Sequence, residues 1–270
     1  PPRSTLFPYT TLFRSIPTKE VLSLVKGMTD KTHDHKTVEL IFDDGYVDLA
    51  NAMMKSGHED IDSQVNIDPR LSTIIPQLVS LIGGRYQWEN GGFCFQAGKY
   101  VEKASPKKTK AKAALMYQDS TVTEFVPTTE HLYSSGMTAE GFRKIGILHR
   151  LLSNASISPG YSGPLFWDEP ESNMNPKLMK LLVQILIELS RNGQQIIVAT
   201  HDYVLLKWFD LLIDKGMDDH IVYYGLHMKD GDVNIESADD YKRLNANAIA
   251  NTFADLYDAE IERSLEIGRA

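Results

Sequence analysis

Two hydrophobic rhythms alternate along this chain. Leu165-Phe166-Trp167 is a short apolar run that ends in Asp168-Glu169 and is stopped by Pro170. Such a run reads as a buried parallel strand delivering two carboxylates to the end of a sheet. Leu178 to Leu189 is apolar almost throughout, broken by Lys180, Gln184 and Glu188. It is long enough for a helix and too apolar for a surface one, which predicts a largely buried helix closed by Asn192-Gly193. Gln195 to Thr200 is a second strand, and His201-Asp202 follows it. A right-handed crossover makes the two strands parallel and brings Glu169 and His201 to one sheet edge. Open α/β sheets bind ligands at that edge.

The rest of the pattern is helix and hairpin. Pro17 to Gly27 reads as a short helix, with Pro17-Thr18-Lys19-Glu20 at its start and Gly27 at its end. Asp43-Asp44-Gly45 reads as a turn. Asp68 and Pro69 suit the N-cap and first turn of a helix. Leu71, Ile74, Ile75, Leu78, Leu81 and Ile82 give that helix its spacing, and Gly83-Gly84 stops it. Arg85 to Glu89 alternates, Asn90-Gly91-Gly92 turns and Phe93-Cys94-Phe95 returns, which is a hairpin. Trp88 and Phe93 fit its half-buried face better than a base-stacking platform. Thr121 to Val126 is a short strand. Thr138 can cap a helix carrying Phe142, Ile145, Leu148, Leu151 and Leu152 on one face. Ser153 to Gly163 is a long loop. Beyond His201 come a helix from Tyr203 to Ile213, an edge strand from Ile221 to His227, a turn at Gly231-Asp232 and a closing helix from Asn247 to Gly268.

Composition narrows the function classes. At 270 residues and 42% apolar content the chain can build one large α/β domain, alone or with an inserted arm. A net charge of -8 disfavours nucleic-acid binding by the surface as a whole. Lys103, Lys107, Lys108, Lys110 and Lys112 form a local basic run, either a solvated loop or a contact for a nucleic-acid backbone. One cysteine, Cys94, excludes an internal disulfide and fits a reducing compartment. No apolar run reaches the roughly eighteen residues of a membrane span, so the cytoplasm is the expected location. His33-Asp34-His35 lacks further ligands at metal spacing and reads as a solvated loop. Gly160-Tyr161-Ser162-Gly163 is not a nucleophile elbow, because it precedes a strand where the nucleophile should follow one.

With these elements in place, the chain resembles the soluble ABC-type ATPases, in the branch that includes SMC-, RecF- and OLD-like heads and bacterial "AAA-family ATPase" proteins. Leu165 to Glu169 resembles their Walker B strand, Ser172 to Pro176 their D-loop and Thr200-His201-Asp202 their switch-histidine loop. Ala139-Glu140-Gly141 lines up with the Ser-Gly-Gly of the signature loop, where only Gly141 matches. The implied fold is an α/β P-loop NTPase: the C-terminal part of a core parallel sheet flanked by helices, with a helix and β-hairpin insertion. The implied arrangement is an arm over residues 16–130, a core lobe over 131–215 and a closing strand and helix over 216–270.

The resemblance also implies the chemistry. ATP and Mg²⁺ are the cofactors. Asp168 would hold the metal, Glu169 would orient the attacking water and His201 would meet the γ-phosphate. Asn175, Ala139, Glu140 and Gly141 would contact nucleotide, the signature loop reaching that of a partner. The implied assembly is an ATP-dependent homodimer, with DNA or a defence-system protein as further partners and no membrane. The alternative is an ATP-gated clamp, binding nucleic acid or a defence complex, with little turnover.

One motif is missing. No G-x-x-x-x-G-K-[ST] loop occurs in these residues. Pro1 to Ser15 resembles a translated sequencing adaptor and is set aside from the functional reading. Without Arg3 and Arg14 the basic count is 28 − 2 = 26 against 36 acids, a net of −10. The chain is therefore expected to be an N-terminally truncated fragment, inactive alone, with an exposed edge beside the Leu165 strand.

Overall fold

A computed structural model describes residues 14–29, 44–55, 63–104, 121–245 and 248–267. His33-Asp34-His35, Asp43 and the lysines from Lys107 to Lys112 lie outside the described residues. The chain divides into two units, Pro1–Met174 with Glu188–Ala199, and Asn175–Ile187 with Thr200–Ala270.

In the first unit, β5 (Leu165–Asp168) is the central strand of a parallel sheet. Its neighbours are β1 (Arg14–Ile16) and β6 (Ile196–Ala199), both parallel to it. The edge expected to be exposed beside Leu165 is thus occupied: Arg14, Ser15 and Ile16 pair with Leu165, Phe166 and Trp167. Ile16 is fully buried, and the Arg14 guanidinium donates to the Ser156 carbonyl at 3.3 Å. Burial of β5 alternates. Leu165 and Trp167 are buried, while Phe166 and its β6 partner Ile197 are 37% and 40% exposed. This differs from the strand buried on both faces that the apolar run predicts, because among the described residues only one face of the sheet is covered.

The second layer of this unit is helical. Helix α5 (Glu140–Ser153) is buried from Lys144 through Ser153. It lies against α2 (Asp44–Met54), α3 (Ser63–Ile67) and α4 (Ile74–Ile82). The C-terminal carbonyls of α2 meet side chains from the end of α5. Arg150 Nε donates to the Met53 carbonyl at 2.8 Å, and Asn154 Nδ2 and Ser156 Oγ donate to the Ala52 carbonyl at 2.9 Å each. Four helix-end acceptors normally need such partners, so these buried polar groups are satisfied by one another.

Several boundaries move for local reasons. Helix α4 starts at Ile74 and not at Pro69, because the Asp68 carboxylate is taken up by the Arg70 backbone N–H at 3.0 Å and by its guanidinium. Gly83 ends α4 in the left-handed conformation expected of it, φ 74°. The segment after Pro17 makes turns and only a short helix, α1 (Val25–Thr29), because Glu20 is drawn to Ser23 and Arg143. Asp44 opens α2, where a turn was expected. Thr138 is not the cap of α5; its hydroxyl donates to the Ser135 carbonyl at 2.7 Å, and Ala139 stands at the N-cap.

The hairpin is larger than expected. β2 (Gly84–Glu89), β3 (Gly92–Ala104) and β4 (Thr121–Ser134) make a three-stranded antiparallel sheet. β4 continues eight residues past Val126, through Pro127, which an edge strand tolerates. Tyr86 of β2 is fully buried against α5, and its hydroxyl lies 2.6 Å from that of Thr138. A Cβ on Gly146 would sit 2.2 Å from the Tyr86 ring, so only glycine lets helix and sheet approach this closely.

The second unit holds most of α6 (Pro176–Arg191), then α7 (Tyr203–Leu212), a hairpin of β7 (Tyr223–Lys229) and β8 (Asp232–Ala238), and α8 (Ala248–Ile267). The turn at Gly231 joins two strands where one was expected. Helix α8 forms and is exposed along most of its length; it meets α7 where Phe253 stacks on Tyr203, ring centroids 4.3 Å apart. No helix among the described residues is long and apolar enough to cross a membrane.

Candidate functional site

The carboxylates leave β5 through a tight turn. Asp168 is the last strand residue and is exposed. Glu169 follows with φ 44°, and its N–H donates to the Ala199 carbonyl at 2.8 Å. Asn173 also has positive φ, 60°. Left-handed backbone at a non-glycine residue costs about 1–3 kcal/mol and persists only where surroundings hold it. Within the turn, Ser172 N–H donates to the Glu169 carbonyl at 3.1 Å and Met174 N–H to the Glu171 carbonyl at 2.9 Å.

Lys144 supplies further support. This lysine of α5 is fully buried. Its ammonium donates to the Glu169 carbonyl oxygen at 3.0 Å and also to Ser172 Oγ. Burial pushes its pKa below the ordinary lysine range, while the carboxylates of Glu140, Glu171, Glu169 and Asp168 oppose that shift. A buried cation bonded to the backbone of the carboxylate turn is a feature that sequence reading missed. In sequence, Arg143-Lys144 looks like a charged helix surface, and only the turn folded over it reveals its burial.

Two more residues approach the turn. The Thr18 hydroxyl donates to Asp168 Oδ2, so the segment after β1 ends against the first carboxylate. Two residues on, Glu20 pairs with Arg143 of α5 at 2.7 Å. Gly141, in the first turn of α5, is buried against the backbone of Asn173 and Met174. The structure thus brings Asp168, Glu169, Gly141, Thr18 and Lys144 together in the first unit, while Glu20 is tied to Ser23 and Arg143. Ala139 is exposed and Glu140 half-buried at the start of the same helix.

Asn175 and His201 belong to the second unit. Asn175 Oδ1 accepts from the Lys177 N–H at 3.0 Å and its carbonyl from Leu178 N–H at 2.8 Å, which satisfies first-turn amides of α6. His201 is exposed. Asp202 beside it is the N-cap of α7, its carboxylate accepting from Leu205 N–H at 2.6 Å.

The donor set suits Mg²⁺. Among the described residues no group of three or more His, Cys, Asp or Glu could hold a metal by itself. Mg²⁺ does not require one: it keeps most of its water and takes one or two carboxylates together with phosphate oxygens. An exposed Asp168 carboxylate with a hydroxyl beside it fits that habit.

Structural comparison finds solved ATPase heads at low similarity. One, reported under "Structural biochemistry of ATP-driven dimerization and DNA stimulated activation of SMC ATPases", is 16% identical with a TM-score of 0.39, over 78% of this chain and 96% of that one. The SMC head domain from Thermotoga maritima is 18% identical, TM-score 0.36, over 66% of this chain and 51% of that one. An Smc head domain from Pyrococcus furiosus, with an extended coiled coil and bound to the C-terminal domain of ScpA, is 14% identical, TM-score 0.33, over 89% and 52%. The chain therefore spans about half the length of the latter two. No curated protein matches it in sequence. A family match covers residues 45–207, more than half of the chain, and on that match the protein belongs to the family described as "AAA domain, putative AbiEii toxin, Type IV TA system".

Proposed function

We propose that this chain carries the metal- and water-facing part of an ATPase site of the ABC type. The observation behind the reading is the pair Asp168-Glu169 at the end of the central strand of a parallel sheet, in a chain of an AAA-domain family. Bound Mg²⁺ would supply charge neutralisation at the phosphates. Asp168 holds that ion through water. Glu169 accepts a proton from, and orients, the attacking water. His201 donates a hydrogen bond to the terminal phosphate, and Asn175 lies on the loop that borders it. Ala139 and Glu140, at the solvent-reached start of α5, would face the nucleotide of a second copy, with Gly141 behind them on the Asn173–Met174 backbone, which makes the working unit a head-to-tail homodimer. A soluble, cytoplasmic setting and a DNA or defence-complex partner belong to this proposal.

The 270 residues contain no phosphate-cradling G-x-x-x-x-G-K-[ST] run, so the proposal expects turnover only where a loop of that kind is supplied to these residues. The test is phosphate release from Mg-ATP by a protein that combines these residues with such a loop, with Glu169→Gln as control. Equal release by both proteins overturns the reading. The alternative, a clamp that binds ATP with little turnover, draws on the lysine run that begins at Lys103 in an acidic chain. Saturable ATP binding with negligible release, with and without DNA, would favour it.

A further inference from the structure

We infer that Lys144 is a positioning residue for Glu169, fixing the backbone from which the second carboxylate projects. The inference rests on the reading of Glu169 given above and extends it to a residue outside the motifs.

The geometry is specific. Lys144 is fully buried, yet its aliphatic stem alone would not require an ammonium at its end. The ammonium donates to the carbonyl oxygen of Glu169 and to Ser172 Oγ, which are the first and fourth residues of the turn. Ser172 N–H closes on the same Glu169 carbonyl. That carbonyl therefore accepts two hydrogen bonds, one of them charge-assisted. Its residue is the one with left-handed φ, 44°. Rotating Glu169 out of this conformation would swing its carbonyl away from the buried ammonium and leave Ser172 Oγ as the remaining hydrogen-bond acceptor of the pair. Loss of that charge-assisted bond opposes the rotation and offsets the backbone strain. The side-chain direction of Glu169 is thereby set by α5, the helix whose first turn packs on Asn173.

The clamp also has a charge role. The charges of Glu140, Glu171, Glu169 and Asp168 all act on this one ammonium. In the absence of metal, Lys144 offsets part of their mutual repulsion and lets the acidic turn stay closed. A neutral side chain at 144 would leave the carboxylates unbalanced. A purely space-filling role predicts no difference between an ammonium and an isosteric apolar chain; a positioning role does.

Hydrogen exchange in the full chain is the primary test, since it needs neither nucleotide nor turnover. Lys144→Met keeps the length of the side chain and removes the donors. Exchange of the turn amides from 171 to 174, above all the hydrogen-bonded ones of Ser172 and Met174, should quicken at least tenfold, with those of β2 and β3 unchanged, and Lys144→Arg should restore most of the protection. Ser172→Ala, which removes one acceptor outside the core, should quicken the same amides a few-fold in case Lys144→Met does not fold. In the nucleotide-competent protein, Lys144→Met should lower kcat tenfold or more with little change in KM for Mg-ATP. Unchanged exchange at 171–174 in both variants overturns the inference. So does a protein whose local exchange quickens in Lys144→Met while kcat holds. A wild-type protein with no turnover at all refutes the ATPase reading instead, and leaves the exchange data and the arginine rescue to decide on Lys144.

Discussion

A Cβ placed on Gly141 would lie 2.7 Å from the carbonyl oxygen of Asn173 in the same chain. That contact changes what a substitution at Gly141 would report. The resemblance to the signature loop implies a Gly141 that reaches the nucleotide of a partner. The structure packs it on the turn after β5. Gly141→Ala should therefore destabilise the monomer by about 1–3 kcal/mol, because the opposing atoms are backbone and yield poorly. Urea unfolding of the purified chain measures this. A midpoint equal to wild type would mean that the turn can shift to admit a methyl group.

The contact between Tyr86 and Gly146 should behave as a coupled pair. Tyr86→Phe removes the hydrogen bond to Thr138 and should cost about 0.5–1.5 kcal/mol. Gly146→Ala forces a methyl group into a ring 2.2 Å away and should cost about 1–3 kcal/mol. Combined with Tyr86→Leu, which withdraws the ring, the alanine should cost less than it does alone. Additive effects in this double-mutant cycle would show that sheet and helix do not meet through these two residues.

The parts of this fold legible in sequence were those with an uninterrupted local signal. β5, α6 and β6 each carry an apolar run with a clear stop, and each formed within a few residues of the expected limits. Where a competing partner existed, near or far in the chain, the reading failed. Asp68 looked like a cap but bonds to the nearby Arg70, and Glu20 looked like a first-turn acid but is held by the distant Arg143. Pro127 looked like the end of a strand because its tolerance depends on β4 lying at a sheet edge, a tertiary fact. At the site, the carboxylates were legible because they end a strand. Lys144 and Thr18 were not, since their partners lie in the β5 turn, 25 or more residues away in the chain.

Stability should fall in mild acid through His149. This residue of α5 is fully buried, and burial, with Arg85 and Arg150 nearby, lowers its pKa to about 3. In the unfolded chain it should titrate near its ordinary value of about 6.5. Between those values the unfolded state binds the extra proton, so stability rises with pH there and is fully present above the unfolded pKa. From pH 6.5 down to 5, where most carboxylates remain ionised, His149 alone should remove up to about 1.4 kcal/mol per pH unit. Urea unfolding at pH 7, 6 and 5 reads the slope, and His149→Gln should flatten it. A slope unaltered by the substitution would mean that the ring is protonated in the fold.

Asp202 and His201 are adjacent and should separate cleanly. Asp202→Ala removes the α7 cap and should lower stability by about 1 kcal/mol. His201→Ala removes an exposed side chain and should leave the unfolding midpoint within about 0.5 kcal/mol of wild type. Circular dichroism melts of the two variants make the comparison. A loss from His201→Ala as large as that from Asp202→Ala would give the histidine a structural role in place of the proposed phosphate contact.

The last prediction concerns Glu169 itself. In the nucleotide-competent protein, Glu169→Gln should retain Mg-ATP binding and lose turnover by about two to four decades, the span expected when a positioned general base is removed. The amide keeps the volume and the hydrogen-bond geometry of the carboxylate, so it can still touch the water; it can no longer accept the proton. The turn should be largely retained, because its bonds to Ala199 and Lys144 are made by the Glu169 backbone, through its N–H and its carbonyl. Unfolding midpoint and hydrogen exchange at residues 171–174 should therefore stay close to wild type while phosphate release collapses. That combination distinguishes loss of a base from loss of a fold. Turnover at the wild-type rate would remove Glu169 from the reaction, and a quickened exchange accompanying the loss would assign the effect to the turn.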